Sequence, residues 1–311
     1  ADTVDGGADN DTLVLTGTSS SLNSAVDGQL VNVEMITAAG ATAGVIISLA
    51  LQTEGFSLTG GSYADTLTGG GGAERINAGS GDDFVNGFVG ADTIDGGVGN
   101  DTLVLTATSS TLNSAVDAQL VNVESVTAAG ATAGVIISLA NQTERFTLTG
   151  SNYADTLAGG SGADNISAGA GNDVINGFVG ADTIDGGANT DTLILTASST
   201  VLNSAGDAQL VNLEAVSASG ATAGVAITLS SQSEGFSITG GASGDTLTGG
   251  SGADSISAGA GNDIINGFVG ADTVDGGADN DTLVLTASST TLNAAGDVQL
   301  VNLEAVSASG A

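Results

Sequence analysis

Residues 159–167 have the sequence Gly-Gly-Ser-Gly-Ala-Asp-Asn-Ile-Ser. Three glycines precede the acidic residue Asp164, and the aliphatic residue Ile166 follows it by two positions. The glycine-rich part can turn through positive φ values without steric cost. The last three residues suffice for one short strand, in which the central aliphatic side chain points to one face and its neighbours to the other. This nonapeptide therefore predicts a tight turn followed by a minimal strand that buries one side chain.

The nonapeptide recurs inside a longer repeat. The string Ala-Asp-Thr-(Ile/Val)-Asp-Gly-Gly begins at residues 1, 91, 181 and 271, so the long repeat is 90 residues. Internal repeats of this kind are typical of solenoids, in which each copy stacks on the next. We therefore expect one continuous solenoid, divided into repeat 1 (1–90), repeat 2 (91–180), repeat 3 (181–270) and a partial fourth repeat (271–311).

Acidic residues mark the nonapeptides in three segments, at about residues 60–104, 150–194 and 240–284. Within each segment the acids lie nine residues apart, and a Leu, Ile or Val follows each acid two positions later. The fifteen acids are Asp65, Glu74, Asp83, Asp92, Asp101, Asp155, Asp164, Asp173, Asp182, Asp191, Asp245, Asp254, Asp263, Asp272 and Asp281.

This pattern resembles the RTX (hemolysin-type) calcium-binding nonapeptide, Gly-Gly-x-Gly-x-Asp-x-U-x, where U is a large aliphatic residue. The chain as a whole resembles bacterial surface-layer proteins of that type. The resemblance implies an all-β fold, a right-handed parallel β-roll or β-solenoid in which two nonapeptides make each coil of about 18 residues. Applied to the whole repeat, that spacing predicts five coils per 90 residues.

Stacking of the coils would bring the acids of every second nonapeptide to within about 4.8 Å of each other, the distance between paired strands. Two carboxylates this close repel by about 1 kcal/mol in water and about 4 kcal/mol at an effective dielectric constant near 20. A hard divalent cation between them reverses that sign, and turn carbonyls can supply further oxygen ligands. We therefore predict that all fifteen acids are calcium ligands and that Ca²⁺ is the cofactor.

Several positions depart from the nonapeptide pattern. Glu74 replaces an aspartate, Asn189 and Asp279 replace glycines, and Phe88 occupies the place of a glycine, where we expect it to cap or pack against a turn. Asn and Asp tolerate the left-handed backbone. Asp95 and its equivalents Asp185 and Asp275 fall outside the stacked position, and we interpret them as solvated or turn-forming.

The other half of each repeat lacks acidic nonapeptides, yet a count of nine from Leu103 still reaches Leu112, Val121, Gly130 and Leu139. This spacing predicts further coils stabilised by apolar packing instead of metal. A short helix around residues 112–119 is an alternative interpretation.

Composition limits the function classes. The net charge is −33 with only two basic residues, which argues against nucleic acid and anionic membranes as partners and favours a multivalent cation. The chain has no His or Cys, so it lacks a Ser-His-Asp triad and thiolate metal sites, and we expect it not to be an enzyme. No apolar run reaches the roughly 18–20 residues of a membrane span.

These observations predict a calcium-binding structural repeat protein of the bacterial cell exterior, in a surface layer, sheath or filament. Calcium would drive folding and self-association into a lattice or filament, and the chain would be secreted to the cell surface. The alternatives are the stalk of a giant RTX adhesin and the calcium-binding tail of a secreted enzyme or toxin. Because the sequence begins and ends within the repeat pattern, we expect it to be part of a longer protein.

Overall fold

The computed structural model describes residues 2–285 and 288–308, so parts of the expected partial fourth repeat, residues 286–287 and 309–311, lie outside the described residues. The described residues fold into short parallel strands joined by turns and 3-10 helices, which confirms the predicted all-β parallel β-solenoid. Two compact units are present. Unit 1 comprises residues 1–152 and 160–162, and unit 2 comprises residues 153–159 and 163–311.

The described residues of unit 1 form fifteen strands and four 3-10 helices. The strands are β1 (Val4–Asp5), β2 (Thr12–Val14), β3 (Leu30–Val31), β4 (Met35–Thr37), β5 (Ile46–Ser48), β6 (Ser57–Thr59), β7 (Thr66–Thr68), β8 (Arg75–Ser80), β9 (Phe84–Asn86), β10 (Thr93–Val98), β11 (Thr102–Val104), β12 (Leu120–Val121), β13 (Ser125–Thr127), β14 (Ile136–Ser138) and β15 (Thr147–Thr149). The 3-10 helices are Leu22–Ser24, Asp27–Gln29, Leu112–Ser114 and Asp117–Gln119.

Unit 2 repeats these element types. Its strands are β16 (Thr156–Ala158), β17 (Asn165–Ser167), β18 (Val174–Asn176), β19 (Thr183–Asp185), β20 (Thr192–Ile194), β21 (Leu210–Val211), β22 (Ala215–Ser217), β23 (Ala226–Thr228), β24 (Ser237–Thr239), β25 (Thr246–Thr248), β26 (Ser255–Ser257), β27 (Ile264–Asn266), β28 (Thr273–Asp275), β29 (Thr282–Val284), β30 (Leu300–Val301) and β31 (Ala305–Ser307). Its 3-10 helices are Leu202–Ser204, Asp207–Gln209 and Leu292–Ala294.

Alternate strands of unit 1 form two parallel sheets, β2-β4-β6-β8-β10-β12 and β5-β7-β9-β11-β13-β15. In the nonapeptide segment each strand pairs with the strand two nonapeptides later, as predicted, since Thr66 pairs with Phe84 and Phe84 with Thr102. Coils outside that segment are longer, because Thr12 pairs with Met35 and Ile94 with Leu120. The additional residues form the 3-10 helices of the non-acidic half.

The longer coils reduce the number of coils in each repeat from the expected five to four and a half. Strands β2 and β11 are equivalent by sequence and lie 90 residues apart, yet they belong to different sheets of unit 1. The first sheet passes from β2 through β4, β6 and β8 to β10 in four coils, and β11 follows half a coil later. Unit 2 shows the same change of sheet between the equivalent strands β20 and β29.

The core is a thin row of aliphatic side chains from the strand centres. In the nonapeptide segment Leu67, Val85 and Leu103 stack along one sheet, and all three are buried. This arrangement explains how a chain with few large aromatic residues can still exclude water: each of these strands contributes one fully buried side chain.

The non-acidic half also forms coils, but the expected spacing of nine does not describe its core. Leu112 and Leu139 are buried as expected, whereas Val121 is half-buried and Gly130 is exposed. The neighbouring Leu120 takes the buried position instead. The alternative of a helix around residues 112–119 is partly correct, because the described chain has two separate 3-10 helices there and no α-helix.

Among residues 2–285 and 288–308, no helix has the length and apolar character needed to cross a membrane.

Candidate metal centres

Three acids stack along one edge of unit 1, each at the end of the turn that precedes its strand. The backbone N–H of Asp65 donates to Asp83 Oδ1 (2.7 Å), and the N–H of Asp83 donates to Asp101 Oδ1 (2.8 Å). All three side chains are buried. Acids one coil apart are therefore in contact through one carboxylate oxygen and the backbone of the preceding acid.

The opposite edge carries Glu74 and Asp92. The N–H of Glu74 donates to Asp92 Oδ1 (3.0 Å), and the N–H of Val89 donates to Asp92 Oδ2 (2.7 Å). Both oxygens of Asp92 therefore accept hydrogen bonds, whereas both carboxylate oxygens of Glu74 are buried without a hydrogen-bond partner. Both edges of unit 1 therefore hold buried carboxylate oxygens without a hydrogen-bond partner.

Unit 2 repeats both arrangements. Each backbone N–H of the first acid in a pair donates to Oδ1 of the acid one coil later, at 2.7–3.0 Å; the pairs are Asp155 and Asp173, Asp173 and Asp191, Asp164 and Asp182, Asp245 and Asp263, Asp263 and Asp281, and Asp254 and Asp272. Across both units none of the fifteen acids is more than 5% exposed. Side chains this buried are not ordinary surface carboxylates.

Burial shifts the ionisation of the stacked acids. Desolvation, with the charge of Asp92 adding to it, raises the pKa of Glu74 to about 7. Desolvation also raises the pKa of Asp83 to about 6, opposed by its hydrogen bond from Asp65 and reinforced by the charge of Asp101. Burial likewise raises the pKa of Asp182 and of Asp191 to about 6. Without a cation, holding these groups ionised is therefore costly.

Oxygen atoms with no donor lie where a cation could bind. The Oδ2 atoms of Asp83, Asp101, Asp173, Asp191, Asp263 and Asp281 are buried and have no hydrogen-bond partner. At the last acid of the segment, a Cβ added to Gly96 would be closer than 3.0 Å both to the unpartnered Asp101 Oδ2 and to the carbonyl oxygen of Asn122 in the next coil. Carboxylate and carbonyl oxygens thus converge between consecutive coils.

The donor set fits calcium. Among the described residues no three His, Cys, Asp or Glu side chains come together, so each candidate site has a pair of carboxylates and needs backbone carbonyls to complete it. Calcium accepts six to eight oxygen ligands in a flexible geometry, whereas magnesium requires a tighter octahedron. The paired, all-oxygen arrangement therefore matches the chemistry expected from the sequence.

Two predictions about individual turn positions can be compared with the backbone. Asn189 and Asp279 have φ values of 86° and 85°, which confirms that they adopt the left-handed conformation in place of glycine. Phe88 is buried, and its carbonyl oxygen accepts hydrogen bonds from Ser109 and Thr111. The Phe88 side chain is therefore buried at a turn that contains Gly87 and Gly90, both with positive φ values.

Asp95 also makes a hydrogen bond between consecutive coils. Its Oδ1 accepts a hydrogen bond from Asn122 Nδ2 (2.8 Å) in the next coil, and Asp185 and Asp275 bind Asn212 and Asn302 in the same way. These contacts are exposed to solvent, so the side chains are solvated as expected, and the hydrogen bond adds to that interpretation. The sequence did not indicate the partner, which lies 27 residues away in a coil longer than those of the nonapeptide segment.

Sequence reasoning missed a set of glutamates. The N–H of Asp101 donates to Glu124 Oε2 (2.8 Å), and the same contact joins Asp11 to Glu34, Asp191 to Glu214 and Asp281 to Glu304. The recurring string Val-Asn-(Val/Leu)-Glu, which begins at residues 31, 121, 211 and 301, was the available signal. This string does not fit the nonapeptide pattern, because it contains no glycine. Its glutamate lies 23 residues after the aspartate, and 23 is not a multiple of nine.

Parallel coils with pairs of buried acids at their turns define a metal-binding β-solenoid repeat protein. The family model described as the RTX calcium-binding nonapeptide repeat matches residues 1–15, 57–85, 68–103, 147–174, 158–193, 239–271 and 248–283. The chain is therefore an RTX calcium-binding repeat protein, and its nonapeptides are calcium-binding motifs. A search of curated proteins gave no significant match to the chain.

Proposed function

We propose that this chain is a structural component of the bacterial cell exterior, in a surface layer, sheath or filament, and that calcium drives its folding and assembly. The observation that carries the proposal is the set of buried, stacked acids whose second carboxylate oxygen has no hydrogen-bond donor. A fold that buries so many unpaired carboxylate oxygens needs a compensating cation while these groups are ionised.

The proposed ligands are the fifteen stacked acids predicted from the sequence. Each pair would bind calcium between two consecutive coils, through one or both carboxylates and the carbonyl oxygens of the turns. Asp83 belongs to two pairs, one with Asp65 and one with Asp101, so its loss should affect two sites.

The energetics favour coupling of calcium binding to folding. If each site has the submillimolar to millimolar affinity of extracellular calcium modules and free calcium is about ten times the Kd, each bound ion stabilises the fold by about 1.4 kcal/mol. Several such sites together match the total stability of an ordinary domain, about 5–15 kcal/mol. The metal-free chain, with a net charge of −33, would in contrast repel itself and stay expanded.

RTX repeat proteins are typically secreted, and an extracellular location would supply the calcium that sites of this affinity need. We therefore place the chain outside the cell. Low calcium before export would keep it unfolded, and calcium outside would fold it.

Repeated exposed apolar side chains support self-association. Val89, Val179 and Val269 occupy equivalent positions in three repeats and are 54–55% exposed. Ile46 and Ile136 form a second equivalent pair, and both are more than half exposed. Recurring apolar positions on otherwise acidic repeats suit contacts between copies of one chain, because each contact can recur along the array.

The proposal can be tested by calcium titration of the purified chain. We expect a coil-like far-ultraviolet circular dichroism spectrum in chelator, a β-sheet spectrum in millimolar calcium, and then ordered assemblies in sedimentation and electron microscopy. Magnesium at the same concentration is the control and should not fold the chain. An unchanged spectrum in calcium would overturn calcium-driven folding. A folded chain that stays monomeric would overturn the lattice assignment in favour of an adhesin stalk.

A further inference from the structure

We infer that each long repeat contains one more calcium site than its nonapeptides provide, formed between Asp101 and Glu124 and between the equivalent pairs Asp11 and Glu34, Asp191 and Glu214, and Asp281 and Glu304. This inference rests on the proposed calcium-dependent function and adds ligands from outside the nonapeptides. The glutamates lie outside the segments that the RTX family model matches, whereas their aspartate partners lie at the end of each segment.

Glu124 accepts the same backbone hydrogen bond as a stacked aspartate, but it is exposed, whereas the stacked aspartates are buried. Its Oε2 accepts the backbone N–H of Asp101 at 2.8 Å, just as Asp101 Oδ1 accepts the N–H of Asp83 at 2.8 Å. The backbone N–H groups of Glu124 and Ser125 in turn donate to the carbonyl oxygen of Asp101. The row of carboxylates therefore continues by one member beyond the last nonapeptide.

In each of these pairs the second carboxylate oxygen of the aspartate is buried and has no hydrogen-bond partner. Asp101, Asp191 and Asp281 are at most 1% exposed, and the Oδ2 atom of each is buried without a hydrogen-bond partner. Asp11 Oδ2 is buried and unpartnered in the same way. The same unsatisfied atom thus recurs in all four copies, so it is a property of the repeat.

A backbone carbonyl faces that oxygen from the following coil. A Cβ added to Gly96 would be closer than 3.0 Å both to Asp101 Oδ2 and to the carbonyl oxygen of Asn122. Gly6, Gly186 and Gly276 have the corresponding neighbours. An added Cβ at Gly60 would likewise be close to Asp65 Oδ2 and the carbonyl of Ala78, although Asp65 Oδ2 also accepts the N–H of Gly61 (2.6 Å).

Glu124 lies beside Asp101 even though the coil that joins them is longer. Thr102 pairs with Ser125 here, whereas in the nonapeptide coils Phe84 pairs with Thr102, so this coil has five more residues. The pairing nevertheless keeps the two acids in register, and the Glu124 carboxylate accepts the N–H of Asp101 at 2.8 Å. The charge of Glu124 raises the pKa of Asp101, after the larger effect of burial, so the two carboxylates are close enough to repel without a cation.

The competing explanation is that Glu124 only accepts a backbone hydrogen bond. Substitution of Glu124 by glutamine distinguishes a calcium ligand from a simple hydrogen-bond acceptor. The glutamine carbonyl still accepts the backbone hydrogen bond, but the negative charge is lost. Asp27, Asp117 and Asp207 provide a matched control. Asp117 Oδ1 accepts the N–H of Thr143 (2.8 Å) from a later coil, and Asp27 and Asp207 do the same with Thr53 and Ser233. None of these three has a buried oxygen without a partner.

The experiment compares the wild type, the triple variant E34Q/E124Q/E214Q and the triple control D27N/D117N/D207N. Bound calcium per folded chain would be counted by equilibrium dialysis with metal analysis. We expect the glutamine variant to bind one calcium ion fewer for each substituted glutamate, and the control to bind as many ions as the wild type. An equal count in all three would overturn this inference and leave the nonapeptide sites intact. A wild type that binds no calcium would overturn the proposed function itself.

If the triple glutamine variant does not fold in saturating calcium, the single variant Glu34→Gln replaces it. Glu34 lies in the first coils of the chain, and each coil of a solenoid contacts only its neighbours, so the remaining coils should still fold. The expected result is the loss of one calcium ion per chain, and an unchanged count would again contradict the inference.

Discussion

The two carboxylate oxygens of a stacked aspartate have different surroundings. Asp83 Oδ1 accepts the N–H of Asp65, whereas Asp83 Oδ2 is buried with no donor. The first contact positions the side chain, and the second oxygen disfavours its ionised form until a cation compensates for it. We therefore expect the same residue to be costly in the metal-free chain and stabilising once calcium binds.

Asp83→Asn should remove this response to calcium. Asparagine keeps an oxygen that can accept the N–H of Asp65 but removes the charge shared by two pairs. At calcium about ten times the Kd, we expect the free energy of unfolding to fall by about 3 kcal/mol, measured by urea denaturation. Asp95→Asn is the control, since Asp95 contacts Asn122 outside the stacked row, and it should cost less than about 1 kcal/mol. Wild-type stability of Asp83→Asn in calcium would contradict this account.

The raised pKa values also predict how pH acts on the metal-free chain. Burial raises the pKa of Glu74 to about 7 and that of Asp83 to about 6, above their ordinary values of 4.5 and 3.8. Between the ordinary and the raised pKa values of these groups, the folded chain therefore binds more protons than the unfolded chain. Its free energy of unfolding falls as the pH rises through this range.

In calcium-free buffer we accordingly expect the β-sheet circular dichroism signal to increase when the pH is lowered from about 7.5 to about 5. Calcium binds the deprotonated carboxylates, so the apparent Kd of the folded chain for calcium should increase over the same change. A metal-free chain that loses β-structure on acidification would show that these carboxyls are not raised in pKa by burial.

At the scale of the element, each turn needs space between consecutive coils. Gly96 is close to both Asp101 Oδ2 and the carbonyl of Asn122, so a side chain there would occupy the space between the two oxygens. Gly130, in contrast, has no atom within 4 Å of an added Cβ and does not have a positive φ. The two glycines therefore have different functions in the same repeat.

Gly96→Ala should weaken calcium binding and lower the melting temperature in calcium, because the methyl group displaces oxygens of the site. Gly130→Ala is the matched control. It should be neutral or stabilise the fold by about 0.4–1 kcal/mol through the reduced entropy of the unfolded chain. Differential scanning calorimetry in millimolar calcium measures both variants, and equal effects of the two substitutions would argue against a cation space at Gly96.

The sequence predicts the nonapeptide coils well because each turn carries its own acid and glycines. Asn189 and Asp279 could even be assigned to the left-handed backbone from residue type alone. The non-acidic half could not be predicted in the same way. Its coil length depends on how many residues the 3-10 helices take up, and no repeated acid marks where a strand returns to the sheet.

The contact between Glu124 and Asp101 could not be predicted for the same reason. Its contact with Asp101 depends on the 23-residue spacing of one particular coil, which a count of nine cannot supply. Once that spacing is known, the recurring Val-Asn-(Val/Leu)-Glu string identifies the other three glutamates directly.

At the scale of the whole molecule, the 90-residue repeat is four and a half coils long, so equivalent strands alternate between sheets within each unit. The junction after residue 90 has the same sequence pattern as the junction after residue 180. A solenoid with only nearest-neighbour contacts should therefore tolerate removal of one complete repeat.

Deletion of residues 91–180 tests this property. The shortened chain joins residue 90 to residue 181 and should fold in calcium with a circular dichroism spectrum of the same shape. Calcium per chain should fall by the number of ions bound by one repeat. Complete loss of calcium-dependent folding would show that the repeats depend on contacts beyond their neighbours.

An anomalous difference map from crystals of the chain grown with calcium, recorded at a wavelength where calcium scatters anomalously, would show directly whether the stacked acids bind the metal. We expect peaks between the carboxylates of consecutive coils, first of all between Asp83 and Asp101, with carbonyl oxygens of the turns among the ligands. A folded chain whose map shows no peak between these two residues would contradict calcium binding by the stacked acids.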